Sequence, residues 1–224
     1  MENKSIALDG PAGSGKSTLA KRVAEHFGLV YVDTGALYRS IGLFVLRSGI
    51  SSKDEESIIA SLPKISVEME YDAEGVQRMI LCGDDVTDDI RLPEVSVYAS
   101  DVSAIPKVRD FLLSMQRNMA KKYDVIMDGR DIGTVILPCA GLKIFITADV
   151  DARAKRRYTE LVERGVKTTY DDVLREMKLR DKNDSERATA PLKPADDGVI
   201  LDTTELDLEQ SFEAICRLVE RSRR

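Results

Sequence analysis

Histidine is nearly missing from this chain: His26 is the single one among 224 residues. Any mechanism that requires two histidines is therefore excluded. Cysteine is scarce as well. Cys82, Cys139 and Cys216 lie far apart, with no CxxC pair and no Cys/His cluster. That pattern argues against a structural zinc site, and it fits small buried apolar residues in a reducing compartment. No apolar run approaches the ~18 residues of a membrane span. The opening Met1-Glu2-Asn3-Lys4 shows no apolar stretch of a signal peptide. An excess of cations is missing too, since 33 Lys+Arg stand against 39 Asp+Glu for a net charge of -6. An acidic whole argues against non-specific nucleic-acid binding. The expectation is a cytoplasmic protein without nucleic-acid or membrane partners, and a monomer, since nothing in the sequence demands a second copy.

What is there begins with enough apolar material, 43% of residues with 32% charged. A chain of this length is one domain or one core with insertions, and it needs no disulfide or metal staple. Short apolar strands are expected at 5–8, 29–32, 125–127, 142–147 and 199–201. Helical periodicity runs from Lys16 to Phe27, with Gly28 as its C-terminal cap, and from Ala36 to Ser48, stopped by Gly49. Ser52 and Glu55 make a capping-box pattern for a further helix, which Pro63 ends. Helices are expected from near Pro93, Pro106, Asp151 and Thr169, the last two joined at Gly165, and a terminal one carries Leu208, Phe212, Ile215 and Val219. Residues 65–71 alternate with period two, 72–75 form a turn and 76–82 return, so a hairpin interrupts the βα rhythm. The fold class is α/β, with a five-stranded parallel sheet flanked by helices.

The segment Gly10-Pro11-Ala12-Gly13-Ser14-Gly15-Lys16-Ser17, followed by Thr18, fits G-x-x-x-x-G-K-[ST] between a strand and a helix. Glycines let the backbone close around a phosphate and aim several N–H groups inward. The helix N-terminus adds partial positive charge. Lys16 reaches the β- and γ-phosphates, and Ser17 holds Mg²⁺. This is a phosphate-binding loop (P-loop), which names a superfamily and not a reaction.

Three other segments bear on an acceptor. Asp33-Thr34-Gly35-Ala36-Leu37-Tyr38-Arg39 ends the second strand, where Thr34 offers a hydroxyl and Arg39 a planar fork for phosphate or carboxylate. The bland alternative is a helix cap with a solvated arginine. Asp128-Gly129-Arg130-Asp131 follows an apolar strand, and a carboxylate there is placed for Mg²⁺, directly or through water. Residues 153–193 form a local basic stretch. A helical flap there could close arginines over phosphates, with Arg153 and Arg157 as candidates. Most of its cations read equally well as a solvated face with pairs such as Glu160–Arg164. Arg180 and Arg187, near Asp184, lie in a less regular stretch before Ala190-Pro191-Leu192.

Taken together, residues 10–18, 33–39, 128–135 and 180–192 resemble the bacterial cytidylate kinase family over nearly the whole chain. The 65–82 hairpin resembles that family's insertion. The resemblance implies one P-loop kinase domain over 1–224, with an acceptor insertion at about 40–105 and a helical lid at about 150–190. It implies transfer of the γ-phosphoryl group from ATP, with Mg²⁺, to CMP or dCMP. Arg39, Arg130 and Arg187 then match the grip on the acceptor phosphate. Ser100, Arg109 and Asp131 match the positions that read cytosine, and Arg180 and Asp184 those that hold the sugar. Thr34 stands where many members have serine. Lys16, Asp128, Arg130 and Arg187 are the catalytic set.

The chemistry agrees on independent grounds. A nucleoside monophosphate is already anionic at neutral pH, so its oxygen attacks without a general base. Such a site needs cations and alignment, not histidine. Three competing readings differ in what they need. A kinase of an alcohol wants a carboxylate base, a guanine-nucleotide switch wants Asn-Lys-x-Asp, which is absent, and a silent nucleotide-binding module has no use for Lys16, Ser17 and Asp128 together.

Overall fold

A computed structural model describes residues 4–163 and 165–223. The opening Met1-Glu2-Asn3 and the Arg164 of the expected Glu160–Arg164 pair lie outside the described residues. In chain order the elements are β1 (Ser5–Asp9), α1 (Lys16–Phe27), β2 (Val30–Asp33), α2 (Thr34–Arg47), α3 (Glu55–Ser61), β3 (Val67–Tyr71), β4 (Gln77–Leu81), β5 (Asp84–Asp85), α4 (Pro93–Ser103) and α5 (Pro106–Lys122), then β6 (Val125–Gly129), β7 (Leu142–Thr147), α6 (Val150–Glu163), α7 (Tyr170–Glu186), β8 (Val199–Asp202) and α8 (Leu208–Ser222). They fall into two compact units. One runs up to Tyr31 and resumes at Tyr123; the other is Val32–Lys122.

The five-stranded sheet runs in the order β2-β6-β1-β7-β8, and all of it but Val32 and Asp33 of β2 falls in the first unit. β1 pairs parallel with β6 and with β7, and β7 pairs parallel with β8. A parallel strand covered on both faces reads as an unbroken apolar run, and Ala7 and Leu8 are fully buried. Leu19 and Val23 of α1 and Ile215 and Val219 of α8 close over Ile6, Leu8, Ile126, Ile144 and Ile146. Each such side chain contributes about 1.5–3 kcal/mol by leaving water. Gly28 ends α1 as expected, in the left-handed region with its N–H on the Ala24 carbonyl. Among the described residues no helix is long and apolar enough to cross a membrane.

The second unit packs α2 along α4. Gly42 makes the close approach possible, because a Cβ there would sit 2.8 Å from the Ala99 nitrogen. Ile41, Val45, Val95 and Val102 are buried in the same core. The period-two segment is strand β3, paired antiparallel with β4 from Val67↔Leu81 to Tyr71↔Gln77. A third strand, β5, extends the expected hairpin, pairing Ile80 with Asp85. Cys82 and Gly83 turn the chain tightly there, with φ of 52° and 91°.

Several expectations are corrected. The capping box at Ser52 does not form: α3 is capped by Asp54, which accepts from the Ser57 amide. Ser52 instead donates to Asp101 at 2.6 Å. α7 runs on through Glu186, so Arg180 and Asp184 are helical and only Arg187 follows the helix. Cys82 and Cys139 are exposed rather than buried, because both fall in turns between elements. Residues 132–136 wind as a single π-helical turn.

Candidate active site

In the first unit, β1 delivers the chain into the glycine-rich loop. Gly10 admits no other residue, since a Cβ would fall 2.0 Å from the Ile146 carbonyl oxygen. Gly15 takes the left-handed conformation at φ 81° and starts α1. Lys16 is buried, and its Nζ donates to the Pro11 carbonyl at 2.6 Å and to Ser14 Oγ at 3.3 Å. Burial pushes the Lys16 ammonium well below its ordinary pKa, and the charges of Arg130 and Arg180 add to the push against Asp128 and Asp9.

Ser17 and Asp128 meet as the strand-to-helix geometry requires. Ser17 Oγ donates to Asp128 Oδ2 at 2.6 Å, and Tyr31 Oη donates to Oδ1 at 3.1 Å. Among the described residues no group of three or more His, Cys, Asp or Glu side chains could cage a metal ion. A hydroxyl beside one carboxylate is instead a partial hard-oxygen set, of the kind Mg²⁺ completes with phosphates and water. Thr18 follows on the exposed side of α1.

Beyond β6 lies a cluster of arginines and carboxylates. Arg130 Nε donates to Asp184 Oδ2 at 2.8 Å. Arg187 Nη2 lies 3.3 Å from Asp131 Oδ1, with both side chains buried, and its Nε donates to the Ala190 carbonyl. Burial would push the Asp184 carboxyl up, but Arg130 in contact, with Arg180 and Arg187, outweighs it and holds the group below the usual range. Such a carboxyl stabilises the fold above its unfolded-state pKa and loses that stabilisation as pH falls through its folded value. Urea unfolding followed from about pH 6 to about pH 3 is expected to show a loss of stability below about pH 4 that is smaller in Asp184→Asn, the remaining carboxylates supplying the rest.

Arg153 and Arg157 are placed differently. Arg153 is buried; it donates to the Ala148 and Ala12 carbonyls at 2.9 Å and pairs with Asp181, tying α6 and α7 to the loop backbone. Arg157 is exposed and pairs with Glu160 at 2.8 Å.

In the second unit, Asp33 is the hub. Its Oδ1 accepts from the Ala36 amide at 3.0 Å, capping α2, and its Oδ2 accepts from Arg39 Nη2 at 2.6 Å. Arg91 stands 3.9 Å away. Arg39 Nε is buried without a hydrogen-bond partner, so part of the fork is left for an incoming acceptor atom. Thr34 is buried at the first turn of α2. Gln77 of β4 accepts from the Asp33 amide at 2.9 Å through its Oε1, and its Nε2 approaches the Asp33 carbonyl at 3.4 Å. The hairpin thus holds the segment that carries Thr34 and Arg39. Ser100 follows Ala99 on α4, half-buried. Arg109 is buried, donates to the Ser103 carbonyl at 3.2 Å and lies 5.5 Å from the Tyr38 ring centre.

Each unit therefore gathers its own share of the expected residues. Lys16, Ser17, Asp128, Arg130, Asp131, Arg180, Asp184 and Arg187 lie in the first unit, and Thr34, Arg39, Ser100 and Arg109 in the second. Sequence reasoning missed Tyr31, Gln77, Asp181 and Asp9. None carries a local signal; each acts through a partner distant in sequence or on another element.

Comparison with known proteins gives one consistent result. A family model described as cytidylate kinase matches residues 6–221. A cytidylate kinase from Caldicellulosiruptor saccharolyticus is 48% identical over 97% of this chain and 96% of its own length. A cytidylate kinase from Clostridium botulinum, strain Langeland, is 42% identical over 99% of this chain and all of its own. Among solved structures, an uncharacterised protein from Eubacterium ventriosum superposes with a TM-score of 0.55 at 16% identity, covering 98% of this chain and 99% of that one.

Proposed function

The chain belongs to the cytidylate kinase family, and from that premise we infer that it transfers the γ-phosphoryl group of ATP to CMP or dCMP, giving ADP with CDP or dCDP. The observation that carries this reading is the arginine cluster beside the P-loop. Burial lowers the Lys16 ammonium most and the Arg130 charge adds to it, while Arg130 and Arg187 each hold a carboxylate, Asp184 and Asp131. An acceptor that is already an anion can take the place of these carboxylates on the arginine forks, whereas an alcohol would want a base.

The roles follow from the chemistry of each group. The amides of Gly10 to Thr18 take the ATP phosphates, and Lys16 exchanges its Pro11 carbonyl for the β- and γ-phosphate oxygens. Mg²⁺ would be held by Ser17 Oγ and by Asp128, directly or through water, and when bound it neutralises charge on the β- and γ-phosphates. Arg39, Arg130 and Arg187 take the acceptor phosphate, whose oxygen attacks the γ-phosphorus in line while the bond to the β-phosphate oxygen breaks. No proton needs to be removed. Arg153 supports the loop from behind, and Arg157 gives up Glu160 if it turns toward the phosphates. Ser100 and Arg109 donate to cytosine O2 or N3, and Asp131 accepts from its N4 amino group. Uracil would face that carboxylate with an acceptor, and mismatched buried polar groups discriminate strongly. Arg180 and Asp184 hold the sugar. Residues 40–105 would serve as the acceptor insertion and 150–190 as a lid that excludes water. Free nucleotides are its only partners on this reading, which puts the protein in the cytoplasm, as a monomer.

The deciding experiment is ADP release from ATP and Mg²⁺ with CMP, dCMP, UMP, AMP, GMP and shikimate supplied separately. Fast turnover with CMP and dCMP, weak with UMP and absent with the others is expected. Turnover with another acceptor would overturn Ser100, Arg109 and Asp131 as cytosine readers. No ADP release with any acceptor would leave only a nucleotide-binding module.

A further inference from the structure

Asp9 ends β1, is buried, and belongs to none of the groups that touch substrate on the reading above. Its carboxylate accepts two consecutive backbone amides from across the sheet. Oδ1 accepts from Ile132 N–H and Oδ2 from Gly133 N–H, both at 2.8 Å. These are the first amides of the π-helical turn over 132–136, and a turn's first amides have no partner of their own. Asp131 stands where the capping residue belongs, yet its side chain does not cap the turn. It faces Arg187 instead.

The consequence for Asp131 is geometric. The Asp131 carbonyl accepts from Val135 at 2.9 Å and from Ile136 at 3.1 Å. The peptide plane joining Asp131 to Ile132 is therefore held at its oxygen by the turn and at its N–H by Asp9. With that plane pinned at both ends, the backbone of Asp131 and so its Cα–Cβ direction are set, and Arg187 at 3.3 Å holds the carboxylate itself. Gly133 closes the arrangement. A Cβ there would meet Lys143 side-chain carbons at 3.2 Å and Asp9 Oδ2 at 3.4 Å, so the carboxylate is enclosed between the turn and β7.

We infer that Asp9 is a positioning residue for base choice: by capping the turn after Asp131, it aims the Asp131 carboxylate at the acceptor's exocyclic amino group. The inference rests on the reading of Asp131 as the group that accepts from cytosine N4. Burial pushes the Asp9 carboxyl up to about 6, opposed by the Gly133 and Ile132 amides and by Lys16, and reinforced by the charge of Asp131. Among the described residues, Asp128 of the neighbouring β6 and Lys143 of β7, which holds Asp197, are further charged groups on the elements packed around it. Keeping an ion at so buried a place is costly, and the two amides are what it serves.

The test is Asp9→Asn, assayed at about pH 8, where the wild-type carboxyl is ionised. Asparagine keeps the shape but turns one acceptor into an NH₂ that opposes a backbone N–H. Expected are a rise of about tenfold in the KM for CMP, a KM for ATP within about twofold of wild type, and a lower ratio of CMP to UMP kcat/KM. Gly133→Ala, which crowds the same carboxylate without changing charge, should move the ratio in the same direction by less. Asp131→Asn is run beside them. If Asp9→Asn changes the KM for ATP or the melting temperature and leaves the CMP:UMP ratio alone, Asp9 serves only the loop or the fold and the inference is wrong. Should Asp9→Asn fail to fold, an unchanged ratio in Gly133→Ala overturns it equally. An unchanged ratio in Asp131→Asn instead sinks the assignment of Asp131 to the base, and the inference falls with it.

Discussion

Lys16→Met is expected to lower kcat by about three orders of magnitude, the cost of removing one preorganised charge from a transferring phosphoryl group. Methionine matches the length and apolar stem of lysine, so packing in the loop is kept. The Pro11 carbonyl loses its 2.6 Å donor, worth about 1 kcal/mol, while the cost of burying an ammonium disappears. Stability should therefore change little while turnover collapses. Initial rates of ADP formation with saturating CMP, with thermal melting as the control for folding, check both halves. A variant that keeps more than about a tenth of wild-type kcat would remove Lys16 from the transition state.

Asp131→Ala is expected to lower kcat/KM for CMP by about two to three orders of magnitude and to leave the KM for ATP near its wild-type value. Two losses combine. The cytosine amino group loses its acceptor, and Arg187, buried against Asp131 with both side chains under a tenth exposed, loses its carboxylate. Breaking one side of a buried pair costs about 3–5 kcal/mol, so this variant should also unfold at lower urea. Asp131→Asn separates the two effects, because it keeps the volume and one acceptor. Steady-state kinetics against CMP and ATP in turn, with urea midpoints for both variants, give the comparison. Unchanged CMP kinetics in Asp131→Ala would end the assignment.

Much of the donor side was legible in the linear sequence because its chemistry is local. A P-loop is eight consecutive residues, and a glycine at its end is demanded by local backbone geometry, as Gly15 at φ 81° at the start of α1 illustrates. α1 runs from Lys16 to Phe27 with its Gly28 cap, since periodicity and capping are both nearest-neighbour effects. The element order, read from apolar runs, led to the parallel sheet for the same reason. Where a local pattern competed with a distant partner, the reading failed. Ser52 looked like a cap, but Asp101, distant in sequence, claimed its hydroxyl. The stretch with Arg180, Asp184 and Arg187 reads as less regular, yet α7 continues through Glu186, with Asp184 held by Arg130.

The residues that sequence reading missed share one property. Asp9 finds the amides of Ile132 and Gly133 more than a hundred positions away, and Gln77 brackets Asp33 from a different strand. A side chain that acts on a remote backbone leaves no spacing to detect. The sequence by itself determined that this protein handles phosphate: glycines that let amides wrap an anion, Lys16 beside them, and a hydroxyl and a strand-end carboxylate suited to Mg²⁺ are all local in the chain. Only the tertiary structure decided how the other charges are shared out, with Arg39 on Asp33, Arg130 on Asp184, Arg187 on Asp131 and Arg153 on Asp181. Composition counts charges, but pairing depends on which carboxylate the fold brings within hydrogen-bond reach, and that distance is set by the sheet and the packing of its helices.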